Sequence, residues 1–203
     1  MNLPYDKTNP ISIEKYAQKL QGKKFREVLE GYHSNKVAKE TTITYSEDFS
    51  LKEKIAYYNN PRGKGSLGNL LEEYYFHYKP NSDSNPDFLE AGTELKVTPF
   101  EKKKDGSLRA GERLVITMIP NDRPVEPVFE KSHVIEKLRL ILLILYLREK
   151  DMLRTEFRIE YAKLFSILAE NCKEDFFVIK EDYEHIIKKI QQGLAHELSE
   201  KGE

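Results

Sequence analysis

PDFLEAGTELK, residues 86–96, is the stretch that decides the fold of this chain. Asp87 is followed, after six residues, by the tripeptide Glu94-Leu95-Lys96. Side chains alternate between the two faces of a β-strand. A strand that begins here would therefore project Glu94 and Lys96 from one face and turn Leu95 toward the core.

The residues between the two carboxylates predict a site for a divalent cation. Ala91-Gly92 can supply the short turn that brings Asp87 opposite Glu94. Two facing carboxylates provide the oxygen ligands that Mg²⁺ prefers, and Lys96 beside them can hold or polarise a water that attacks phosphorus. The pattern outlines a hydrolytic phosphodiesterase site. The alternative is a solvated, salt-bridged strand, because the chain carries 34 acidic and 33 basic residues.

Composition indicates one globular domain without a general affinity for polyanions. The chain has 203 residues, of which 39% are hydrophobic, with 12 Tyr and 10 Phe, enough for one well-formed core. Its net charge of −1 requires any DNA-binding surface to be a local patch. A single cysteine, Cys172, excludes internal disulfides and cysteine zinc clusters. That cysteine and the polar N-terminus predict a cytoplasmic protein, and the apolar run 138–147 is too short to span a bilayer.

The first half of the chain reads mainly as helices. Residues 12–30 predict one or two short helices broken near Gly22, with Ser12 as a cap, and residues 33–62 look irregular. Another helix is expected to begin after Ser66 as its N-cap. Its apolar stripe is formed by Leu67, Leu70, Leu71, Tyr74, Tyr75 and Tyr78. Glu72 and Glu73 flank that stripe, and helical spacing alone does not decide which of them approaches the carboxylates downstream.

The second half alternates strands and helices. Residues 102–106 predict a hairpin tip, with residues 113–119 as the returning strand. A short helix is expected at 132–137, a buried strand at 138–147 and a strand carrying Phe157, Ile159 and Tyr161. An amphipathic helix over 179–194 closes the chain. The predicted fold class is α+β, with a mixed central sheet flanked by helices.

Five blocks of sequence resemble the MutH-like nucleases. These are KGSLGNLLE (64–72), SDSNPD (82–87), EAGTELKVTPF (90–100), SHVIEKL (132–138) and GLAHELSE (193–200). The family joins the mismatch-repair strand-nicking endonuclease to type II restriction enzymes that cut at GATC, and the last block is more similar to the restriction branch. The blocks occur in the expected order over most of residues 62–200. The resemblance implies a restriction-endonuclease-like core with a PD-(D/E)xK site.

The resemblance also implies roles for individual residues. The metal-site carboxylates would be Glu72, Asp87 and Glu94, with the Leu95 carbonyl as a backbone ligand and Lys96 as the catalytic lysine. Residues meeting DNA near the scissile strand would be Lys64, His133 and Lys137; the last two are one helical turn apart and are expected to share a face. The implied cofactor is Mg²⁺, with Mn²⁺ as a substitute.

The resemblance implies a single catalytic nuclease domain over residues 1–203. It comprises an N-terminal helical region and loop, 1–62, and a core, 63–203. In the family, sequence-reading strands and, in the restriction branch, a second domain follow the last block, and both are expected to be absent here. Weak or absent specific cleavage is therefore expected from these residues alone.

Three interpretations of function follow. The first is the catalytic domain of a type II restriction endonuclease acting on double-stranded DNA at GATC, with a C-terminal effector domain of the full-length protein as a further partner and no membrane. The second is a mismatch-repair nicking endonuclease. The third is a catalytically silent DNA-binding or allosteric module on the same scaffold, which the intact Asp87, Glu94 and Lys96 disfavour.

Overall fold

The architecture was obtained as a computed structural model that describes residues 3–39, 50–60, 66–80, 85–119 and 124–198. The described chain contains six α-helices, short 3₁₀ turns and one four-stranded sheet. No helix within these ranges is both long and apolar enough to cross a membrane.

Two helices separated at Gly22 open the chain, as predicted. Helix α1 spans Pro10–Ala17 and α2 spans Phe25–Lys39. Gly22 adopts the left-handed conformation with φ of 81°, which a glycine reaches without a steric penalty. The predicted cap was wrong. Asn9, not Ser12, caps α1, because its side-chain oxygen accepts the backbone N–H groups of the second and third helical residues and a proline follows at the first position.

The segment predicted to be irregular contains regular structure. Helix α2 continues to Lys39, and α3 spans Leu51–Asn59. Ser50 and Glu53 form a capping box, in which each side chain accepts the other residue's backbone N–H. This reciprocal cap satisfies two amide donors and starts α3 inside an otherwise polar stretch.

Helix α4 spans Leu67–Tyr74 and begins at the predicted cap. The Ser66 hydroxyl accepts the Asn69 N–H at 3.0 Å. Four residues of the predicted stripe are buried in the helix: Leu67, Leu70, Leu71 and Tyr74. Tyr78 lies beyond the helix end, after His77, whose positive φ of 62° redirects the chain.

The sheet has the strand order β2-β1-β3-β4. Its strands are β1 (Glu94–Lys102), β2 (Leu108–Ala110), β3 (Ile141–Leu147) and β4 (Arg158–Phe165). The two central strands, β1 and β3, are parallel, and both outer pairs are antiparallel. This mixed sheet confirms the predicted α+β class and the restriction-endonuclease-like fold.

The returning strand of the hairpin was placed wrongly. It is β2, and residues 113–119 have no regular structure. The chain reverses in a tight turn directly before β2, because Gly106 adopts a φ of 85° and donates its N–H to the Lys103 carbonyl. Arg148 then fixes this edge by bonding both Glu101 and the Gly111 carbonyl.

Hydrophobic clusters cover both faces of the sheet. Leu142, Ile144 and Tyr146 of β3 pack with α1, α2 and α4 in one cluster. Ile141 and Leu143 belong to a second cluster with α5 (His133–Leu138) and α6 (Lys173–Gln191), which starts six residues before its predicted position. The site residues therefore come from α4 on one side of the sheet, from β1 within the sheet and from α5 on the other side.

Candidate active site

The turn predicted at Ala91-Gly92 is present and brings Asp87 next to β1. Phe88 and Thr93 exchange two backbone hydrogen bonds, of 2.9 and 3.2 Å, and Gly92 sits in the left-handed region at φ of 58°. The Asp87 carboxylate accepts the Leu95 N–H at 2.8 Å. The six-residue hairpin-like segment 88–93 thus fixes Asp87 against the start of β1.

Glu94 is the centre of the site. It is the first residue of β1 and is only 2% exposed. Lys96 Nζ lies 2.9 Å from its Oε1, so the two side chains do share one face of the strand. Lys137 Nζ, from α5, lies 3.1 and 3.0 Å from Oε1 and Oε2. One buried carboxylate therefore holds two ammonium groups, which provide the charge compensation that burial requires.

The way α4 packs on the sheet decides which of Glu72 and Glu73 approaches the other carboxylates. Burial, followed by the charges of Asp87 and Glu94, raises the pKa of Glu72 to about 7. Glu73 is exposed and lies by the Tyr74 hydroxyl. The Glu72 carboxylate lies where α4 packs on β1, because a Cβ built at Gly68 would be in ordinary van der Waals contact, 3.9 Å, with both Glu72 Oε1 and Val97 Cβ. Glu72 is thus the carboxylate that α4 brings to the site.

Asp87 shares this electrostatic environment. Burial and the neighbouring Glu94 raise its pKa to about 6, against the opposing effects of the Leu95 N–H and the two lysines. When all are ionised, the three carboxylates and two ammonium groups leave one net negative charge. Raised carboxyl pKa values of this kind are common at functional sites, because clustered carboxylates repel one another until a cation or a proton neutralises them.

The donor chemistry of this cluster fits Mg²⁺, which binds through one or two carboxylates and retains several waters. The cluster is not a preformed cage: within the described ranges, no three His, Cys, Asp or Glu groups are close enough to enclose a metal ion. Both Glu94 oxygens contact lysines, so the less constrained carboxylates are Asp87 and Glu72. The metal-ligand role of these residues and of the Leu95 carbonyl stays a prediction.

Two of the residues predicted to meet DNA have different hydrogen-bond partners. His133 Nε2 lies 3.3 Å from the Met118 carbonyl, whereas Lys137 is 6% exposed and reaches inward to Glu94. Both residues lie on α5, one helical turn apart, and their shared face stays a prediction; the Lys137 side chain turns toward the buried Glu94 carboxylate. Lys64 lies outside the described residues. A DNA contact by any of the three stays a prediction.

Tyr78 is a site neighbour that the sequence did not reveal. It was assigned to the apolar stripe of α4, but its backbone N–H donates to the Glu72 carbonyl at 3.0 Å. Burial, then the charges of Asp87 and Glu72, raises the pKa of its hydroxyl. The left-handed backbone of His77, which no simple sequence pattern predicts, lies at the point where the chain turns back and Tyr78 bonds the Glu72 carbonyl.

A mixed sheet whose first central strand opens with Glu94 and Lys96, beside an aspartate held by a tight turn, defines the class of restriction-endonuclease-like nucleases. Within that class, the chain belongs to the MutH family. Residues 76–182 match the family described as "DNA mismatch repair enzyme MutH". The matched range contains Asp87, Glu94, Lys96 and Lys137.

Two curated relatives extend this result. The chain is 38% identical over 139 residues to the type II restriction enzyme Sau3AI of Staphylococcus aureus, covering 68% of this chain and 28% of that protein. It is 28% identical over 141 residues to the DNA mismatch repair protein MutH of Shewanella woodyi, covering 70% of this chain and 57% of that protein. The chain thus spans less than two thirds of either relative. The resemblance inferred from the five sequence blocks is confirmed.

Proposed function

We propose that this chain is the catalytic part of a type II restriction endonuclease that hydrolyses DNA phosphodiester bonds at GATC in the presence of Mg²⁺. The observation that supports it best is Glu94, buried at the start of β1 and bonded to Lys96 and Lys137 beside Asp87. The 38% identity to a type II restriction enzyme supports the restriction branch. The same proposal places the protein in the cytoplasm. It also includes a C-terminal effector domain of the full-length protein as a partner of this catalytic part.

The side chains of the site have different roles in the proposed hydrolysis. Lys96, with 18% of its side chain exposed, is the ammonium group best placed to orient a water and to stabilise charge on the attacked phosphate. Lys137, at 8%, balances the Glu94 charge from the inside. Asp87 and Glu72 would hold Mg²⁺, which supplies a water of lowered pKa and neutralises phosphate charge when bound.

The second candidate function is mismatch-repair strand nicking. It is supported by the match to the MutH family and by the 28% identity to a MutH protein. The two functions differ in product: a restriction enzyme linearises a circular plasmid, whereas a nicking enzyme leaves an open circle.

The test uses the full-length protein, because weak or absent specific cleavage is expected from residues 1–203 alone. It measures cleavage of a supercoiled plasmid that carries GATC sites, beside a plasmid without them, in Mg²⁺, Mn²⁺ and EDTA. The protein is compared with Glu94→Ala, Lys96→Ala and the exposed control Lys188→Ala. We expect metal-dependent cutting of the GATC plasmid alone, lost in both site variants by at least about 100-fold and retained in the control. Cutting that survives Lys96→Ala, or plasmids left intact by all proteins while DNA is still bound, would overturn the catalytic assignment.

A further inference from the structure

Tyr78 carries a buried hydroxyl that the proposed chemistry does not yet use. Across the part of the chain that the structure describes, no group lies within hydrogen-bonding distance of its oxygen. Leaving a buried hydroxyl unpaired is costly, so buried polar atoms are nearly always satisfied by protein or by an ordered water. The hydroxyl of Tyr78 is therefore free, as far as the described residues go, to bond an ordered water beside the carboxylates.

Two contacts hold Tyr78 beside the carboxylates. Its N–H donates to the Glu72 carbonyl at 3.0 Å, directly tying its backbone to the end of α4. Its ring meets Phe88, the residue after Asp87, edge to face with centroids 5.4 Å apart. Phe88 is itself 3% exposed, so the ring cannot move away without opening the core. The tyrosine therefore joins the two segments that carry Glu72 and Asp87.

The charges around Tyr78 indicate whether its hydroxyl acts as a hydrogen-bond donor or as an acceptor. The charges that act on it are those of Asp87, Glu72 and Glu94, with the neighbouring Tyr5 ring also contributing. All three carboxylates are acceptors, and a tyrosine hydroxyl keeps its proton at neutral pH. The hydroxyl can therefore serve as a hydrogen-bond donor near these carboxylates.

We propose that Tyr78 is a positioning residue of this site: its hydroxyl donates a hydrogen bond to a water held by the Asp87 and Glu72 carboxylates, and so fixes both for the divalent cation. This inference rests on the proposed function, because it assigns these carboxylates to Mg²⁺. A neutral donor suits the place, since it holds a water without adding a charge that would compete with the cation. Removing such a supporting group typically weakens metal binding by about tenfold or more.

The test is Tyr78→Phe, which keeps the ring and removes only the hydroxyl. Binding of Mg²⁺ and Mn²⁺ to the DNA-free protein is measured by calorimetry, together with the ultraviolet difference spectrum of the tyrosines on metal addition. The matched control is Thr155→Val, because the Thr155 hydroxyl is also buried and unpaired among the described residues but belongs to the segment before β4.

We expect Tyr78→Phe to bind Mn²⁺ about tenfold more weakly and to lose a tyrosine difference signal, while Thr155→Val behaves as the unmodified protein. The thermal midpoint without metal should not fall in either variant, because removing an unpaired hydroxyl leaves no partner unsatisfied. Equal metal affinity of Tyr78→Phe and the unmodified protein would overturn the role of Tyr78 and leave the nuclease proposal standing. If neither protein binds metal, the metal site itself fails and the role of Tyr78 with it.

Discussion

Glu94 depends on two lysines, and the two are not equivalent. Lys137 contacts both of its oxygens from the interior, whereas Lys96 contacts one and is partly exposed. We predict that Lys137→Met lowers the free energy of unfolding by about 2 kcal/mol, because a 2%-exposed carboxylate loses its deeper partner. Urea unfolding at pH 8 measures the loss.

Two further variants control this prediction. Lys188→Met, on the exposed side of α6, should change stability by less than about 0.5 kcal/mol. Adding Glu94→Gln to Lys137→Met should recover part of the loss, because the uncompensated charge is gone. A single Lys137→Met variant as stable as the unmodified protein would contradict the buried pair.

The titration of Glu72 and Asp87 makes stability depend on pH. Their folded pKa values, about 7 and about 6, lie above the ordinary values of 4.5 and 3.8. The folded protein therefore holds protons that the unfolded chain releases, and this contribution to stability is complete below about pH 4 and is lost as pH rises through 6 and 7. We predict that Glu72→Gln raises the free energy of unfolding at pH 8 by about 1 kcal/mol and changes it little at pH 4.

Urea unfolding in EDTA at pH 4, 6 and 8 checks this dependence. The exposed Glu181→Gln on α6 is the control and should show no pH-dependent difference. A Glu72→Gln effect of the same size at pH 4 and pH 8 would show that burial and neighbouring charges do not raise the pKa of this carboxyl.

At the scale of elements, the turn before β1 sets the distance between Asp87 and Glu94. Gly92 is left-handed, and its open surroundings mean that only the backbone conformation opposes a side chain there. We predict that Gly92→Ala costs about 1 kcal/mol and lowers cleavage at least about tenfold by displacing Asp87 from the Leu95 N–H. Thermal unfolding and plasmid cleavage measure both effects.

Gly31→Ala is the matched control for this turn. Gly31 lies inside α2 with equally open space around it and no positive φ. Alanine should therefore stabilise the helix by about 0.5–1 kcal/mol and leave cleavage unchanged. A Gly92→Ala variant that gains stability in the same way would show that the turn tolerates a side chain.

Local signals in the sequence predicted the helices and strands that carry the site residues. They did not predict how these elements pack against one another. The Ser66 cap located α4, the short helix expected at 132–137 is α5, and alternation in residues 94–97 placed Glu94 with Lys96. By contrast, α3 was not predicted. It begins at the reciprocal Ser50–Glu53 cap, and the polar composition of the surrounding segment gave no helical pattern of apolar residues. The choice of Glu72 over Glu73 and the approach of Lys137 to Glu94 depend on how helices dock on the sheet, and short-range periodicity contains no such information.

At the scale of the whole molecule, one sheet joins two hydrophobic clusters. Because β3 contributes alternate residues to both clusters, the loss of one should disrupt the other. We predict that Phe25→Ala and Phe129→Ala, both fully buried but in different clusters, each lower the free energy of unfolding by about 3–4 kcal/mol within one cooperative transition.

Circular dichroism and tyrosine fluorescence followed through the same urea titration would check this cooperativity. Coincident curves are expected for all three proteins. Two separated transitions in either variant would show that the clusters unfold as independent units, contrary to the single domain predicted from the sequence. Tyr57→Phe, an exposed aromatic change on α3, provides the control.

The contact between Lys137 and Glu94 joins residues 43 positions apart, and β1 gains its parallel neighbour only when β3 has formed. During synthesis, the growing chain therefore carries Asp87, Glu94 and Lys96 well before it has α5 and β3 to hold them. If the proposed chemistry is correct, the nascent polypeptide is harmless to the DNA of the cell that makes it. On the proposed function, the capacity to cut would arise only after the chain has passed residue 147 and completed its parallel pair.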